Sequence, residues 1–124
     1  MWNKARSDTG KPVDILLVPT MPHTALPHQL SSRWVGYTKL FNLLDYTALS
    51  FPAGKVSKEL DPGSVVDLDY TPRNPLDAYN WDHYDLATMD GHDVGLQIVG
   101  RRFDEEKVLG VAQQIQKLLK AQFE

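Results

Sequence analysis

The run Val94 to Val99, broken by Gly100 and followed at once by Asp104-Glu105-Glu106, constrains this chain more than any other stretch. Six residues of mostly apolar character are the length of a strand, with Val94, Leu96 and Ile98 on one face and Gly95, Gln97 and Val99 on the other. Asp104 is placed to cap a helix, Glu105 and Glu106 sit at the positive end of its dipole, and Phe103 is spaced to staple onto Val108. Val108, Ala112, Ile115 and Leu119 then recur at i, i+4, i+7 and i+11, one side of a helix. A strand, a glycine break and a capped helix in that order suit the last βα unit of an α/β domain.

The rest of the chain supplies few elements to accompany that unit. Residues 2–8 have helix-compatible composition and stop at Thr9-Gly10-Lys11-Pro12. Val13 to Val18 is a nearly continuous apolar run ended by Pro19, as expected of a strand covered on both faces. Pro19 to Leu30, with three prolines after Val18 and two histidines, reads as a loop. Ser31 or Ser32 can cap a helix with Trp34, Tyr37, Phe41 and Leu44 on one stripe, ending near Asp45. Thr47 to Phe51 reads as a second strand whose ladder Pro52 ends, with Lys55 to Ser57 a possible extension past a bulge. Three short strands and two to three helices cannot cover both faces and both edges of such a sheet. The residues by themselves therefore point to a fragment or to an obligate partner, with a sheet face or edge left adhesive.

Composition closes several routes. A chain of 124 residues is one domain or a piece of one. The absence of cysteine excludes disulfides and thiolate metal sites and is compatible with a reducing compartment. No run approaches the length of a membrane span and no apolar stretch follows Met1-Trp2-Asn3-Lys4, so the expectation is a soluble, cytoplasmic chain with no membrane partner. Residues 59–93 hold nine acidic side chains against one basic, Arg73, which argues against nucleic acid as a partner and reads as a solvated acidic loop. Asp82-His83-Tyr84-Asp85 and Asp90-Gly91-His92-Asp93 offer oxygen and imidazole ligands, but in neither the EF-hand nor the helical His-Glu-x-x-His spacing, so no metal site and no cofactor are assigned. His23 and His28 are separated by Pro27, and a hydrolase built on Ser50 and His92 lacks the Gly-x-Ser-x-Gly turn.

Ordered motifs along nearly the full length carry a resemblance. Asp14-Ile15-Leu16-Leu17-Val18-Pro19-Thr20-Met21-Pro22, then Tyr37-Thr38-Lys39-Leu40-Phe41-Asn42, then Ala48-Leu49-Ser50-Phe51-Pro52, then Gly95-Leu96-Gln97-Ile98-Val99-Gly100 with Phe103 and its acidic followers, resemble the C-terminal end of an amidase-signature enzyme. Asn42-Leu43-Leu44-Asp45-Tyr46 and Tyr70-Thr71-Pro72-Arg73-Asn74 are similar to the fungal acetamidase type. The resemblance implies the C-terminal part of a mixed-sheet α/β/α fold, residues 1–124 forming a partial domain in which 59–93 is an acidic loop insertion. It also implies hydrolysis of a small-molecule carboxylic amide through an acyl-enzyme by the complete enzyme.

That chemistry uses a nucleophilic serine, a second serine in a cis peptide and a lysine within a Gly/Ser-rich segment. None of the six serines here, Ser7, Ser31, Ser32, Ser50, Ser57 and Ser64, lies in such a run, so no catalytic residue carries over. What the resemblance leaves to this chain is scaffold and pocket wall. The candidates for that wall are Phe41, Asn42, Asp45 and Tyr46, where helix gives way to strand, with Trp34 and Tyr37 behind them. The competing reading makes the aromatics core and Asn42 and Asp45 the helix end. Two functions follow: a hydrolase segment that needs the missing catalytic half, or a non-enzymatic binding module, a truncated relative that docks a partner such as a full-length homologue.

Overall fold

The computed structural model describes residues 2–60 and 70–123. Its centre is an antiparallel three-stranded sheet in the order β1-β3-β2, with β1 at Leu16–Pro19, β2 at Ala48–Lys55 and β3 at Asp93–Val99. Between them lie α1 (Gly36–Leu43), α2 (Pro75–Asp82) and α3 (Leu86–Met89), and α4 (Glu105–Phe123) closes the chain. The last strand in sequence is the middle strand in space. The register sets Leu17, Ile98 and Leu49 abreast and, one residue along, Val18, Gln97 and Ser50. Residues abreast share a sheet face, so the alternation read for β3 holds across the whole sheet.

Position in the sheet decides burial. Gln97, Ile98 and Val99 of β3 are fully buried, and with Phe41, Met89 and Val108 they make the core. The run Val13 to Val18, expected to be covered on both faces, is instead an edge strand starting at Leu16, and Leu17 is 50% exposed. The residues before it serve side chains rather than a ladder: the Val13 carbonyl accepts from Trp2 Nε1 at 2.8 Å and from Arg101 at 3.1 Å, and Asp14 takes the Lys107 ammonium at 2.8 Å. Pro52 does not end β2. The ladder continues from Pro52, opposite Gly95, through a bulge to Lys55, because an edge strand has no second neighbour to miss the proline N–H.

The helix starts also depart from expectation for local reasons. The first segment makes only a 3₁₀ turn, Trp2–Lys4, before Gly10 reverses the chain at a φ of 75°. Ser32 does not cap α1; its hydroxyl donates to the Trp34 carbonyl, and the helix starts four residues later at Gly36. A Cβ at Gly36 would lie 2.1 Å from the Trp34 ring, so this glycine is what lets the indole lie across the helix entry. The far end stops as expected. Asp45 takes a φ of 54°, Asp45 N donates to the Asn42 carbonyl and Tyr46 N to the Phe41 carbonyl, a Schellman closure with aspartate in the glycine position.

At α4, Val108 N donates to the Asp104 carbonyl, opening the helix where expected, but the Asp104 carboxylate turns back to accept from Arg101 N at 3.1 Å. The staple from Phe103 to Val108 is absent. Phe103 has a φ of 65° and is 76% exposed, because the left-handed turn points its ring to solvent, while Val108 closes against Gly100.

The acidic segment is not a plain loop. Residues 61–69 lie outside the described residues, but 70–93 contain α2 and α3, each with its own cap. Asn74 Oδ1 accepts from Leu76 N and Asp77 N with Pro75 at the first helical position, and Asp85 accepts from Ala87 N and the Thr88 hydroxyl. These are local start signals that need no apolar stripe.

Candidate wall of a substrate pocket

A hollow of ≈ 630 Å³ lies open beside the entry of β3. One side is the chain leaving β1, at Pro19, Met21 and Pro22; the floor is Val94 and Leu96 with Val56; the opposite side is α2 and α3, through Trp81, Leu86 and Met89. The aromatics of that side are ordered among themselves. The Trp81 and Tyr84 rings stack at 5.8 Å with 5° between planes, and Tyr70 leans on Trp81 at 5.0 Å. Such a surface is apolar, flat and stiff, suited to bury an apolar group rather than to transform it.

Three polar groups of its lining, Tyr70, Asp77 and His23, are engaged within the chain. The Tyr70 hydroxyl donates to Asp77 Oδ2 at 2.5 Å, Arg73 N donates to the same oxygen at 2.9 Å, and the Arg73 guanidinium stands 3.6 Å away. The Arg73 N–H, then the Tyr70 hydroxyl, hold the Asp77 carboxyl below the ordinary aspartate range, and donation to Asp77 raises the Tyr70 phenol. Asp77, an anion at neutral pH, therefore ties the irregular segment 70–73 to α2. His23 is similarly engaged, with Nδ1 2.8 Å from the Thr24 carbonyl and Nε2 3.0 Å from Ser32 Oγ, whose proton points at Trp34 O. The pair braces the loop after β1. Among the described residues, no serine or lysine lines the ≈ 630 Å³ hollow.

The residues expected to form a wall lie elsewhere. Phe41 is buried in the core, Tyr46 is half-buried edge-on to Trp2 with centroids 5.3 Å apart, Asn42 is exposed, and exposed Asp45 pairs with Arg102 at 2.6 Å. They gather at the C-terminal end of α1, away from the hollow. Trp34 and Tyr37, meeting edge to face at 4.8 Å, line a second hollow of ≈ 560 Å³ with Arg73 and Asn74, and Asp77 and Asn80 border both hollows. The residues lining the ≈ 630 Å³ hollow that the sequence reading did not single out include Met21, Trp81, Tyr84 and Met89. The available signal was the concentration of aromatics, Tyr70, Tyr79, Trp81 and Tyr84, inside a segment read only for its charge.

The motifs weighed for metal serve as structural ties. His83 Nδ1 meets the Tyr79 carbonyl at 2.7 Å, His92 Nδ1 meets the Ala25 carbonyl at 2.6 Å, Asp90 accepts from Lys58 N, and Asp93 pairs with Lys55. Among the described residues, no three His, Asp or Glu side chains converge as a metal site would require. Ser50 lies opposite Gln97, while His92 lies beyond the other end of β3, so those two are not brought together. No helix among the described residues is long and apolar enough to cross a membrane.

Comparison with known proteins places these features in a larger frame. The family model described as Amidase matches residues 2–109. Amidase 1 of Gibberella moniliformis is 65% identical over 119 residues, which are 96% of this chain and 22% of that protein. The acetamidase of Aspergillus oryzae is 34% identical over 118 residues, 95% of this chain and 21% of the relative. Among solved structures, a fatty acid amide hydrolase superposes with a TM-score of 0.73 at 35% identity, covering 86% of this chain and 19% of that one. The chain thus spans about a fifth of the length of the curated relatives it matches.

Proposed function

The chain belongs to the amidase family, and on that premise we propose that it is the C-terminal segment of a carboxylic-amide hydrolase, inert alone, whose task is to wall the substrate pocket. The observation that carries this is the ≈ 630 Å³ hollow: it has the apolar, aromatic lining of a binding site and none of the serine and lysine groups that would make an acyl-enzyme. In the complete enzyme the nucleophile and its base come from the other four fifths. This segment contributes binding energy and keeps water from the reacting carbonyl through Met21, Trp81, Tyr84 and Met89. Asn42, Asp45 and Tyr46, at the end of α1 and away from the hollow, are proposed to meet the substrate's path on the catalytic side, with core Phe41 supporting them from below. The substrate is a small amide with an apolar acyl or amine group. A chain without cysteine suits the cytoplasm, where we place the enzyme.

The test uses two proteins: the 124-residue chain, and Gibberella moniliformis Amidase 1 carrying this chain in place of its matching stretch. With a panel of aliphatic and aromatic amides, the chain alone releases no amine or ammonia and the chimera turns over. In the chimera, Trp81→Ala lowers kcat/KM for the most apolar amides by about tenfold, the loss of roughly 1.4 kcal/mol of aromatic contact, and changes acetamide little. Turnover by the isolated chain that a single serine substitution abolishes would overturn the proposal.

A further inference from the structure

The eight-residue helix α1 is apolar over more of its circumference than this chain covers. At 100° per residue, Phe41, Tyr37, Leu44, Leu40 and Leu43 follow one another around an arc of about 160°. Exposure rises steadily along that arc, from 7% at Phe41 to 50% at Leu40 and 81% at Leu43. Only the Phe41 edge meets the core; Gln97 Nε2, donating to the Tyr37 carbonyl at 3.2 Å, tethers the helix to the sheet. Close by in the fold, β1 pairs only with β3 among the described residues, so one edge of Leu16–Pro19 is open, and Leu16 and Leu17 are exposed. A helix apolar over so wide an arc is a buried helix, and an unpaired apolar edge invites a neighbour.

Resting on the amidase reading, we infer that the Leu40, Leu43 and Leu44 face of α1, together with the open edge of β1, docks onto the body of an amidase. That body is the four fifths of the relatives' length that this chain does not span. Amidase 1 matches 96% of this chain while the chain spans 22% of it, so the same segment there has most of a large protein to pack against. A second copy of the chain is the weaker occupant. A helix of eight residues and a strand of four offer little toward the roughly 800 Å² per partner that a specific dimer buries. The face is also nearly free of charge, with Lys39 the only ionisable side chain in α1 besides the Tyr37 phenol, so the match is apolar rather than electrostatic.

Leu43→Asp separates the possibilities when placed in both the isolated chain and the Amidase 1 chimera, with Tm and solution mass measured on each. In the isolated chain Leu43 faces water, so the change costs only helix propensity and a carboxylate at the C-terminal end of α1, and lowers Tm by no more than about 3 °C. In the chimera it puts a carboxylate into an apolar contact and lowers Tm by about 5 °C or more. Leu40→Asp behaves alike in the chimera, and at a half-exposed site it lowers the Tm of the isolated chain by more than Leu43→Asp does. The inference is overturned if both substitutions are silent in the chimera, if they dissolve a dimer of the isolated chain, or if the chimera fails to fold where Amidase 1 folds. Amide turnover by the chimera is read separately. A folded chimera that is destabilised by Leu43→Asp but never hydrolyses amides keeps the docking face and removes the amidase function; a hydrolytic chimera indifferent to Leu43→Asp does the reverse.

Discussion

A methyl group added by Gly100→Ala would sit 2.6 Å from Val108 Cγ2 and 3.1 Å from Asp104 Cβ. Ordinary carbon contacts lie near 3.5–4.0 Å, so the turn between β3 and α4 must open by about 1 Å. Val108 is fully buried and cannot swing into solvent. Overpacking of this kind costs about 1–3 kcal/mol, and we take about 2 for a single methyl against a fixed side chain. Val108→Ala removes the clashing group, but alone it loses two buried methyls and leaves a void, together about 2–3 kcal/mol. In the double variant the methyl introduced by Gly100→Ala fills part of that void. The pair should therefore cost about 2–3 kcal/mol rather than the additive sum, a coupling of about 2 kcal/mol. Equilibrium urea unfolding followed by far-UV circular dichroism measures all four corners of the cycle, provided the m-values agree. If Gly100→Ala changes stability by less than about 0.5 kcal/mol, or if the two substitutions add, Gly100 is not required by close approach and the account of this turn is wrong.

Three further outcomes test the fold. Gln97→Leu removes the donor that holds the Pro19 carbonyl at 3.0 Å and the Tyr37 carbonyl at 3.2 Å, and should cost about 1–3 kcal/mol in the same unfolding assay, with earlier amide exchange in α1. Phe103→Gly relieves a left-handed residue whose ring is exposed. The relief of about 1–2 kcal/mol, less the entropy of glycine, leaves the isolated chain more stable by about 0.5–1 kcal/mol, and a lower Tm would contradict it. The pH dependence follows from four carboxyls held below the ordinary value of 3.8: Asp14 by the Lys107 ammonium, Asp77 by Arg73 N–H, Asp85 by the Thr88 hydroxyl and Asp90 by Lys58 N–H. Their folded-state pKa values lie below the unfolded ones, so their stabilisation is complete above about pH 4–5 and disappears as pH falls through the folded values. Tm should be level from about pH 7 to 5 and fall below about 4, and Asp85→Asn, which keeps a capping oxygen that cannot titrate, should make the fall shallower.

Periodicity and local chemistry made much of the fold legible. The helix after Asp104 and the end of α1 near Asp45 rest on interactions within a few residues, and the apolar run of β3 and the bulge after Pro52 on residue type; all stand in the structure. The α2 and α3 starts are equally local, in Asn74-Pro75 and Asp85, but they sit in a segment without an apolar stripe whose acidic balance has the signature of a solvated loop. The wall of the hollow was less legible, because Met21, Trp81, Tyr84 and Met89 meet only when the exit of β1 and the two short helices fold against β3.

The sequence by itself determined the three strands, the helices α1 and α4 and the family resemblance, since these depend on residue type and near spacing. Only the tertiary structure decided that the last strand lies in the middle of the sheet, that β1 is an edge, that Phe103 faces water and that α1 is covered along just one side of its apolar arc. Those are properties of pairing between distant segments, where burial is set by neighbours rather than by the hydrophobicity of the residue itself.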